Sequence, residues 1–249
     1  MRFGGVAALD GVSFDVPKGS VVGVIGPNGA GKTTLFNCIT RMNRPQLGDV
    51  IFDGESLLRL RAHEVARRGV TRTFQNVSLF ANMTVLDNVL VGYHFRMRAP
   101  LYSLQSALGL PAIRSVEGDA VEAARQALEL VGIGGLGARP ARGLPFGVLK
   151  AVELARALVS RPRLVLLDEP AGGLNHEEVA RLGELIRRIF DELGLTVLVV
   201  EHHMGLVMRV SDRVVVLDFG RKIADGTPRE VQSDPAVIRA YLGTGAKSA

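Results

Sequence analysis

Residues 26–34 of this 249-residue chain read Gly26-Pro27-Asn28-Gly29-Ala30-Gly31-Lys32-Thr33-Thr34. They match the pattern G-x-x-x-x-G-K-[ST] at every fixed position. An apolar run from Val21 to Ile25 comes directly before them, and a helix-compatible run containing Leu35 and Phe36 comes directly after. This succession predicts a buried strand, a phosphate-binding loop and a helix, as in P-loop nucleotide-binding proteins. An ordinary glycine turn is the alternative, and the complete motif in this context argues against it.

Each part of the loop suits phosphate binding. Glycines let the backbone wrap closely around phosphate oxygens, so that successive N–H groups point inward, and the following helix adds its positive N-terminal end. We therefore expect all nine residues from Gly26 to Thr34 to line a nucleotide site. Lys32 would place a cation at the β- and γ-phosphates, and the Thr33 hydroxyl would ligate Mg²⁺. The predicted ligands are ATP and Mg²⁺.

A second chemical signal is an acidic pair at the end of an apolar run. Leu164 to Leu167 is followed by Asp168 and Glu169. A strand that ends in an acid is the form taken by a Mg²⁺-holding carboxylate beside a P-loop. Asp168 is predicted to hold the metal, directly or through water, and Glu169 to act as general base on the attacking water. The alternative is a solvated pair of acids after a buried strand.

A third signal is the sequence Val199-Val200-Glu201-His202-His203. It is again an apolar strand that ends in polar groups, and the ends of parallel strands on one edge of a sheet converge on the ligand. His202 is therefore predicted to contact the γ-phosphate, although a lone histidine is more often structural. His203 is predicted to have no direct role.

Bulk composition restricts the class of protein. Apolar residues make up 47% and charged residues 22% of the chain, as in soluble globular domains. No apolar run approaches the roughly 18 residues of a membrane-spanning helix. The single cysteine, Cys38, excludes an internal disulfide and is predicted to be a buried filler. The net charge of +5 permits nucleic acid as a partner, but no nucleic-acid-binding motif accompanies it.

Apolar runs and turn signals outline an α/β core. Further strands are predicted at Val12 to Val16, Val50 to Phe52, Thr196 to Val200, Val214 to Leu217 and Lys222 to Ala224. An amphipathic helix is predicted from Glu177 to Leu193.

The middle of the chain has a different pattern. Residues 92–118 look irregular, residues 119–131 helical, and a further helix is predicted from Leu149 to Val159. We expect one domain over residues 1–249, with a mainly helical lobe at about 76–160 inserted in the α/β core.

These motifs, in this order, resemble the nucleotide-binding domain of ABC transporters over nearly the whole chain. The resemblance implies a P-loop NTPase core with an antiparallel β subdomain and a helical lobe. Phe3 stands where the family has an aromatic residue that stacks on adenine. Gln75, in Thr73-Phe74-Gln75-Asn76, matches the glutamine of the Q-loop, which touches Mg²⁺ or the attacking water.

Two family motifs are altered. The signature motif of the family is commonly Leu-Ser-Gly-Gly-Gln, and this chain has Leu144-Pro145-Phe146-Gly147-Val148 in its place. Only Leu144 and Gly147 match the motif, and these two residues are predicted to contact nucleotide. Pro145 replaces the serine that would bond a γ-phosphate and lacks a backbone N–H as well. Asn175 replaces the aspartate of the D-loop. Both departures predict a weakened ATP site of the kind that two such domains build together.

Finer features are similar to the hydrophobic-amino-acid uptake branch of the family. They are the stretch from Arg72 to Asn76, the insert after it, Leu144 to Gly147, and the ending from Val237 to Gly243. Within that branch the chain is similar to the first ATP-binding subunit of branched-chain amino-acid importers. Importers of urea or short amides share these features, so the solute stays open. Family members usually have a further strand before Met1, and we expect that edge strand to be missing or the start to be late.

The resemblance also implies partners and a mechanism. Two such domains sandwich two ATP molecules, and their closure and hydrolysis drive permease subunits between inward- and outward-facing states. We expect permeases, a second homologous ATP-binding subunit in a heterodimer, a solute-binding protein reached through the complex, and no nucleic acid. The chain would then lie peripherally on the cytoplasmic face of the cell membrane, bound through the permeases.

Two rival classes remain at this point. A nucleic-acid ATPase of similar fold is compatible with the charge, but such proteins usually carry coiled-coil, zinc or tandem-domain additions, which this chain lacks. A P-loop kinase or GTPase is the second rival. Glu169 and the degenerate signature argue against a kinase, and the absence of Asn-Lys-x-Asp argues against guanine recognition.

Overall fold

A computed structural model of the chain describes residues 1–73, 78–96 and 111–242. Their backbone forms two compact units, one of Met1–Val65 with Leu166–Ala249 and one of Ala66–Val165. In chain order the strands are β1 Arg2–Phe3, β2 Val6–Ala7, β3 Val21–Ile25, β4 Ile51–Phe52, β5 Glu55–Ser56, β6 Val70–Arg72, β7 Leu164–Asp168, β8 Thr196–Val200, β9 Arg213–Asp218 and β10 Arg221–Gly226. The α-helices are α1 Lys32–Ile39, α2 Ala62–Arg67, α3 Val85–Val91, α4 Pro111–Leu130, α5 Phe146–Leu158, α6 His176–Leu193, α7 Met204–Val210, α8 Pro228–Ser233 and α9 Pro235–Leu242.

Within the first unit, the strands of the main sheet follow the order β10-β9-β3-β8-β7. Strand β3 runs parallel to both β8 and β9, and β10 returns antiparallel to β9. Every residue of β3, β7 and β8 is buried. Continuous apolar runs such as these are typical of parallel strands covered on both faces. The predicted α/β P-loop architecture is confirmed.

Short hairpins accompany this sheet. Strands β1 and β2 pair antiparallel, as do β4 and β5. The β4–β5 hairpin turns at Asp53 and Gly54, which both have positive φ, and the β9–β10 hairpin turns in the same way at Phe219 and Gly220. Two consecutive residues with positive φ are the requirement of the tight turn that matches strand twist.

The prediction of a strand from Val12 to Val16 is wrong. Exposure does alternate along these residues, but they lie outside every strand of the described chain. Alternation reports only that one face is covered, whereas a strand also needs a hydrogen-bonded neighbour.

The second unit contains α3, α4 and α5, which pack against one another. Their buried side chains include Val85, Val89, Ala124, Leu128 and Val152. Thr84 and Asp87 form a reciprocal capping box at the start of α3. Residues 78–96 and 111–160 of the predicted lobe fall within this unit.

Two helices of this unit begin earlier than the sequence analysis predicts. Helix α4 begins at Pro111 rather than at residue 119, because proline suits the first turn, whose N–H groups have no partner within the helix. Helix α5 begins at Phe146 rather than Leu149, so Gly147 lies inside its first turn.

None of the described helices is both long enough and apolar enough to cross a lipid bilayer.

Candidate functional site

The loop from Gly26 to Gly31 joins β3 to α1 and depends on glycine at two points. Gly26 has a φ of 152°, and a Cβ there would overlap the carbonyl oxygen of Leu217. Gly31 has a φ of 100°, and a Cβ there would overlap the carbonyl oxygen of Ala8. Both residues therefore combine a left-handed backbone with a close approach that a side chain would prevent.

Lys32 is the first residue of α1 and turns back into the loop. Its side chain is buried, and Nζ donates hydrogen bonds to the carbonyls of Gly26 at 2.7 Å and Pro27 at 3.0 Å. Burial lowers the pKa of Lys32, while the charges of Glu169 and Glu201 act in the opposite direction. The ammonium group thus lies inside the loop and within electrostatic reach of two acids.

The start of α1 is open to an anion. Its N-cap is Gly31, which has no side chain with which to accept the first helical N–H groups. Thr33 is exposed and Thr34 is half-buried in the same turn. Orphan N–H groups at a helix N-terminus bind phosphate, as the sequence predicts for this loop.

The predicted acidic pair lies at the end of β7. Asp168 is buried, with 2% exposure, as the last residue of the strand. Glu169 follows it with a φ of 46°, and its N–H donates to the carbonyl of Val200 at 2.8 Å. A positive φ is uncommon for a residue that carries a side chain. The chain therefore leaves β7 at Glu169 in a conformation that a side chain disfavours.

His202 follows β8 at the same edge of the sheet. Its Nδ1 lies 3.9 Å from Oε2 of Glu169 and 3.7 Å from Oε2 of Glu201. The His202 side chain is 59% exposed, whereas that of Glu169 is 21% exposed. The structure thus brings Lys32, Glu169 and His202 to one place within the first unit.

The remaining predicted residues lie elsewhere in the chain. Phe3 is half-exposed on β1, in a hairpin that leads to Ala8 beside Gly31. Leu144 and Gly147 are half-buried in the second unit, where Pro145 is the N-cap of α5 and supplies no side-chain hydrogen bond. Gln75 lies outside the described residues.

Two residues have local roles that the sequence analysis missed. The side chain of Asn175 accepts the N–H of Glu178 at 3.0 Å and forms a capping box at the start of α6. His203 caps α7, because its Nδ1 accepts the N–H of Leu206 at 3.3 Å. The spacing of Asn175 and Glu178 could have revealed the first cap.

Glu201 was also missed as a site residue. It is fully buried and, among the described residues, accepts hydrogen bonds from the backbone N–H groups of Ala171, His202 and His203. A glutamate after an apolar strand is usually exposed, so sequence pattern alone gave no signal for it.

The C-terminal helices support the strand that enters the loop. Val231 of α8 and Val237 of α9 belong to one buried cluster with Ile25 of β3 and Val216 of β9, and Tyr241 packs against it. Burial raises the pKa of the Tyr241 phenol, and the nearby backbone of Gly26 opposes that rise. Helices α8 and α9 are thus part of the core beneath the loop.

Comparison with protein families gives two matches. Residues 9–172 match the family described as ABC transporter. Residues 221–247 match the family described as branched-chain amino acid ATP-binding cassette transporter. The second match covers β10 and the C-terminal helices.

Individual relatives agree with these matches. The chain is 45% identical to the high-affinity branched-chain amino acid transport ATP-binding protein BraF of Pseudomonas aeruginosa, covering 98% of this chain and 94% of that protein. It is 42% identical, over the same shares, to the corresponding protein LivG of Escherichia coli.

Solved structures agree on the fold. The ADP conformation of MJ1267, an ATP-binding cassette of an ABC transporter, superposes with a TM-score of 0.84 at 34% identity, covering 98% of this chain and 95% of that one. The dimeric structure of MJ0796, a bacterial ABC transporter cassette, matches with a TM-score of 0.74 at 25% identity, covering 90% and 92%. Sequence, fold and loop geometry agree, and the chain belongs to the ABC transporter family as an ATP-binding protein.

Proposed function

We propose that this chain is the ATP-hydrolysing motor subunit of an importer of branched-chain amino acids. The observation that carries the solute class is the match of residues 221–247 to a family described by that solute. Full-length relatives described as branched-chain amino acid transport ATP-binding proteins support the same assignment. The proximity of Lys32, Glu169 and His202 supports hydrolysis.

The residues present fit a Mg²⁺ ion bound with ATP. Asp168 is a buried carboxylate at a strand end, and Thr33 is an exposed hydroxyl at the start of α1. The described residues hold no cluster of three acidic, histidine or cysteine side chains that could bind a metal, which suits an ion carried largely by phosphate oxygens. Asp168 and Thr33 would hold Mg²⁺, with Gln75 as a further ligand, and the ion would neutralise phosphate charge.

The protein side chains would divide the remaining work. Residues 26–34 bind the phosphates through backbone N–H groups, and Lys32 supplies a point charge to them. Glu169 accepts a proton from the attacking water as general base. His202 contacts the γ-phosphate, and Gln75 orients the water. Catalysis is then mainly positioning and charge stabilisation.

Partners complete the proposal. Phe3 would stack on adenine, and Leu144 and Gly147 would meet the nucleotide bound by a second, homologous ATP-binding subunit. Permease subunits would hold the chain on the cytoplasmic face of the cell membrane, and a solute-binding protein would deliver the amino acid to them.

Uptake by the reconstituted complex tests this function. The chain would be co-purified with its permease subunits and placed in proteoliposomes, with the solute-binding protein outside and ATP inside, on the side of the membrane that carries this chain. We expect ATP-dependent uptake of radiolabelled leucine that unlabelled isoleucine and valine inhibit. Uptake of labelled urea or acetamide without uptake of leucine would assign a different solute, and an absence of ATP hydrolysis would contradict the motor role.

A further inference from the structure

The carboxyl group of Glu201 is the most deeply buried acid beside the proposed hydrolysis site. It is 0% exposed and follows directly after β8. Burying a carboxylate is costly unless hydrogen bonds compensate for the lost water. Here Oε1 accepts the N–H of Ala171 at 2.7 Å, and Oε2 accepts the N–H groups of His202 at 2.7 Å and His203 at 2.8 Å. Both oxygens are therefore occupied by backbone donors.

These donors belong to two different loops. Ala171 lies in the turn after β7 that contains Glu169, whereas His202 and His203 lie in the segment after β8. The backbone N–H of Glu201 also donates to the carbonyl of Val24 in β3, at 3.3 Å. One residue thus ties together the ends of β7 and β8 and the strand that enters the phosphate-binding loop.

The hydrogen bonds of Glu201 constrain the backbone around Glu169. That residue has a φ of 46°, a left-handed conformation that is disfavoured when a Cβ is present. The hydrogen bond from Glu169 N–H to Val200 holds one side of the turn, and that from Ala171 N–H to Glu201 holds the other. Such conformations persist where surrounding contacts over-determine them.

The same carboxyl group faces the ring of His202. Oε2 of Glu201 lies 3.7 Å from Nδ1, and Oε2 of Glu169 lies 3.9 Å from it. Because the His202 side chain is 59% exposed, packing constrains the ring only weakly. Both carboxyl groups lie near Nδ1 of the ring, and the backbone N–H of His202 is held by Oε2 of Glu201.

We propose that Glu201 is a positioning residue for ATP hydrolysis. It holds Glu169 and His202 in the positions that hydrolysis requires, and it does not contact the nucleotide. This inference rests on the proposed hydrolytic function and on the roles proposed there for Glu169 and His202. It assigns a separate task to an acid that neither binds phosphate nor moves a proton. Its effect should appear in the hydrolysis step and not in ATP binding.

The test is Glu201→Gln in the full-length chain, co-purified with its membrane subunits. An amide offers one acceptor oxygen and one donor group, so either Ala171 or the His202–His203 pair must face a donor. We expect ATP affinity to change by less than about threefold, while single-turnover hydrolysis slows by about ten- to a hundredfold. If this variant does not fold, Glu201→Asp tests the same step, because it keeps the charge but draws the oxygens back from the two loops.

A double variant separates positioning from general damage. Residues that act as a unit have non-additive effects. We therefore expect Glu201→Gln to slow the His202→Ala variant less than it slows the parent, because only the effect through Glu169 then remains. Leu128→Ala is the matched control, because it removes volume from the buried core of the second unit, which contains neither of these loops. It should lower the melting temperature while leaving single-turnover hydrolysis within about twofold of the parent.

Three results would overturn the inference while the parent still hydrolyses ATP. They are a Glu201→Gln variant as fast as the parent, a rate loss that merely follows lost ATP affinity, and a full multiplicative effect in the His202→Ala background. A parent complex that does not hydrolyse ATP would instead overturn the proposed function itself, together with this inference.

Discussion

At the scale of single residues, Lys32 lies where loop carbonyls and acidic charges meet. Nζ donates to the carbonyls of Gly26 and Pro27. Burial lowers the pKa of Lys32, and the charges of Glu169 and Glu201 oppose that lowering. The sequence motif assigns this ammonium group to the β- and γ-phosphates. A change at Lys32 should therefore act on nucleotide binding directly.

We expect Lys32→Ala to weaken ATP binding by on the order of ten- to a hundredfold, since it removes charge-assisted hydrogen bonds to phosphate. Equilibrium titration with a fluorescent ATP analogue measures the affinity, and phosphate release measures turnover. Lys18→Ala is the control, because Lys18 is exposed and precedes β3. Near-parental affinity and turnover in the Lys32 variant would disprove the assignment of this loop.

Glu169 is the second decisive residue. Glu169→Gln keeps the size of the side chain but removes a general base, so ATP should still bind while hydrolysis falls by about a hundredfold or more. A closed complex should then accumulate, which gel filtration with ATP would detect. Glu192→Gln on the exposed face of α6 serves as the control. Parental turnover in the Glu169 variant would show that another group is the base.

At the scale of elements, the residue that departs from the D-loop pattern starts a helix. The side chain of Asn175 caps α6 by accepting the N–H of Glu178, and the carboxylate of Glu178 accepts the N–H of Asn175 at 2.9 Å. An aspartate could accept the same bond. Asn175 in place of the family's aspartate therefore keeps the capping hydrogen bond and removes one negative charge.

This cap gives a stability prediction. Asn175→Ala should lower the free energy of unfolding by about 1 kcal/mol, and Asn175→Asp should leave it nearly unchanged. Urea denaturation of the full-length chain followed by circular dichroism would measure both. Equal stability of the alanine variant and the parent would mean that the cap contributes nothing.

At the scale of the whole molecule, the altered signature bears on assembly. Pro145 offers neither a hydroxyl nor an N–H to a phosphate, so a homodimer would carry that deficit twice. A heterodimer could combine residues 26–34, Glu169 and His202 of this chain with a better signature from a homologous subunit. The dimeric cassette MJ0796 shows that a chain of this fold can pair.

We therefore expect the isolated chain to hydrolyse ATP more slowly per site than the co-expressed complex, by about ten- to a hundredfold. This range corresponds to one lost charge-assisted hydrogen bond to phosphate. The measurement is phosphate release at several protein concentrations. Pro145→Ser in the isolated chain should recover part of the difference. A concentration-dependent homodimer as fast as the complex would exclude the heterodimer.

Local signals were enough to predict much of the fold. The phosphate-binding loop and the strands β3, β7, β8, β9 and β10 were all predicted from short stretches. Such features depend on neighbouring residues, because glycine conformation, apolar runs and turn chemistry act over a few positions. The same reasoning failed for Val12 to Val16, where alternation was present and a strand partner was not.

The tertiary structure decided what these stretches do together. Sequence alone places Glu169 and His202 after separate strands. Only the strand order β3-β8-β7 brings Nδ1 of His202 to 3.9 Å from Oε2 of Glu169. Glu201 shows most clearly what the sequence pattern cannot predict. It is buried, and its three backbone donors lie in two segments about thirty residues apart, at Ala171 and at His202 with His203. A local pattern determines which conformations a segment can adopt, whereas the burial and partners of a charged side chain depend on distant segments that meet only in the folded chain.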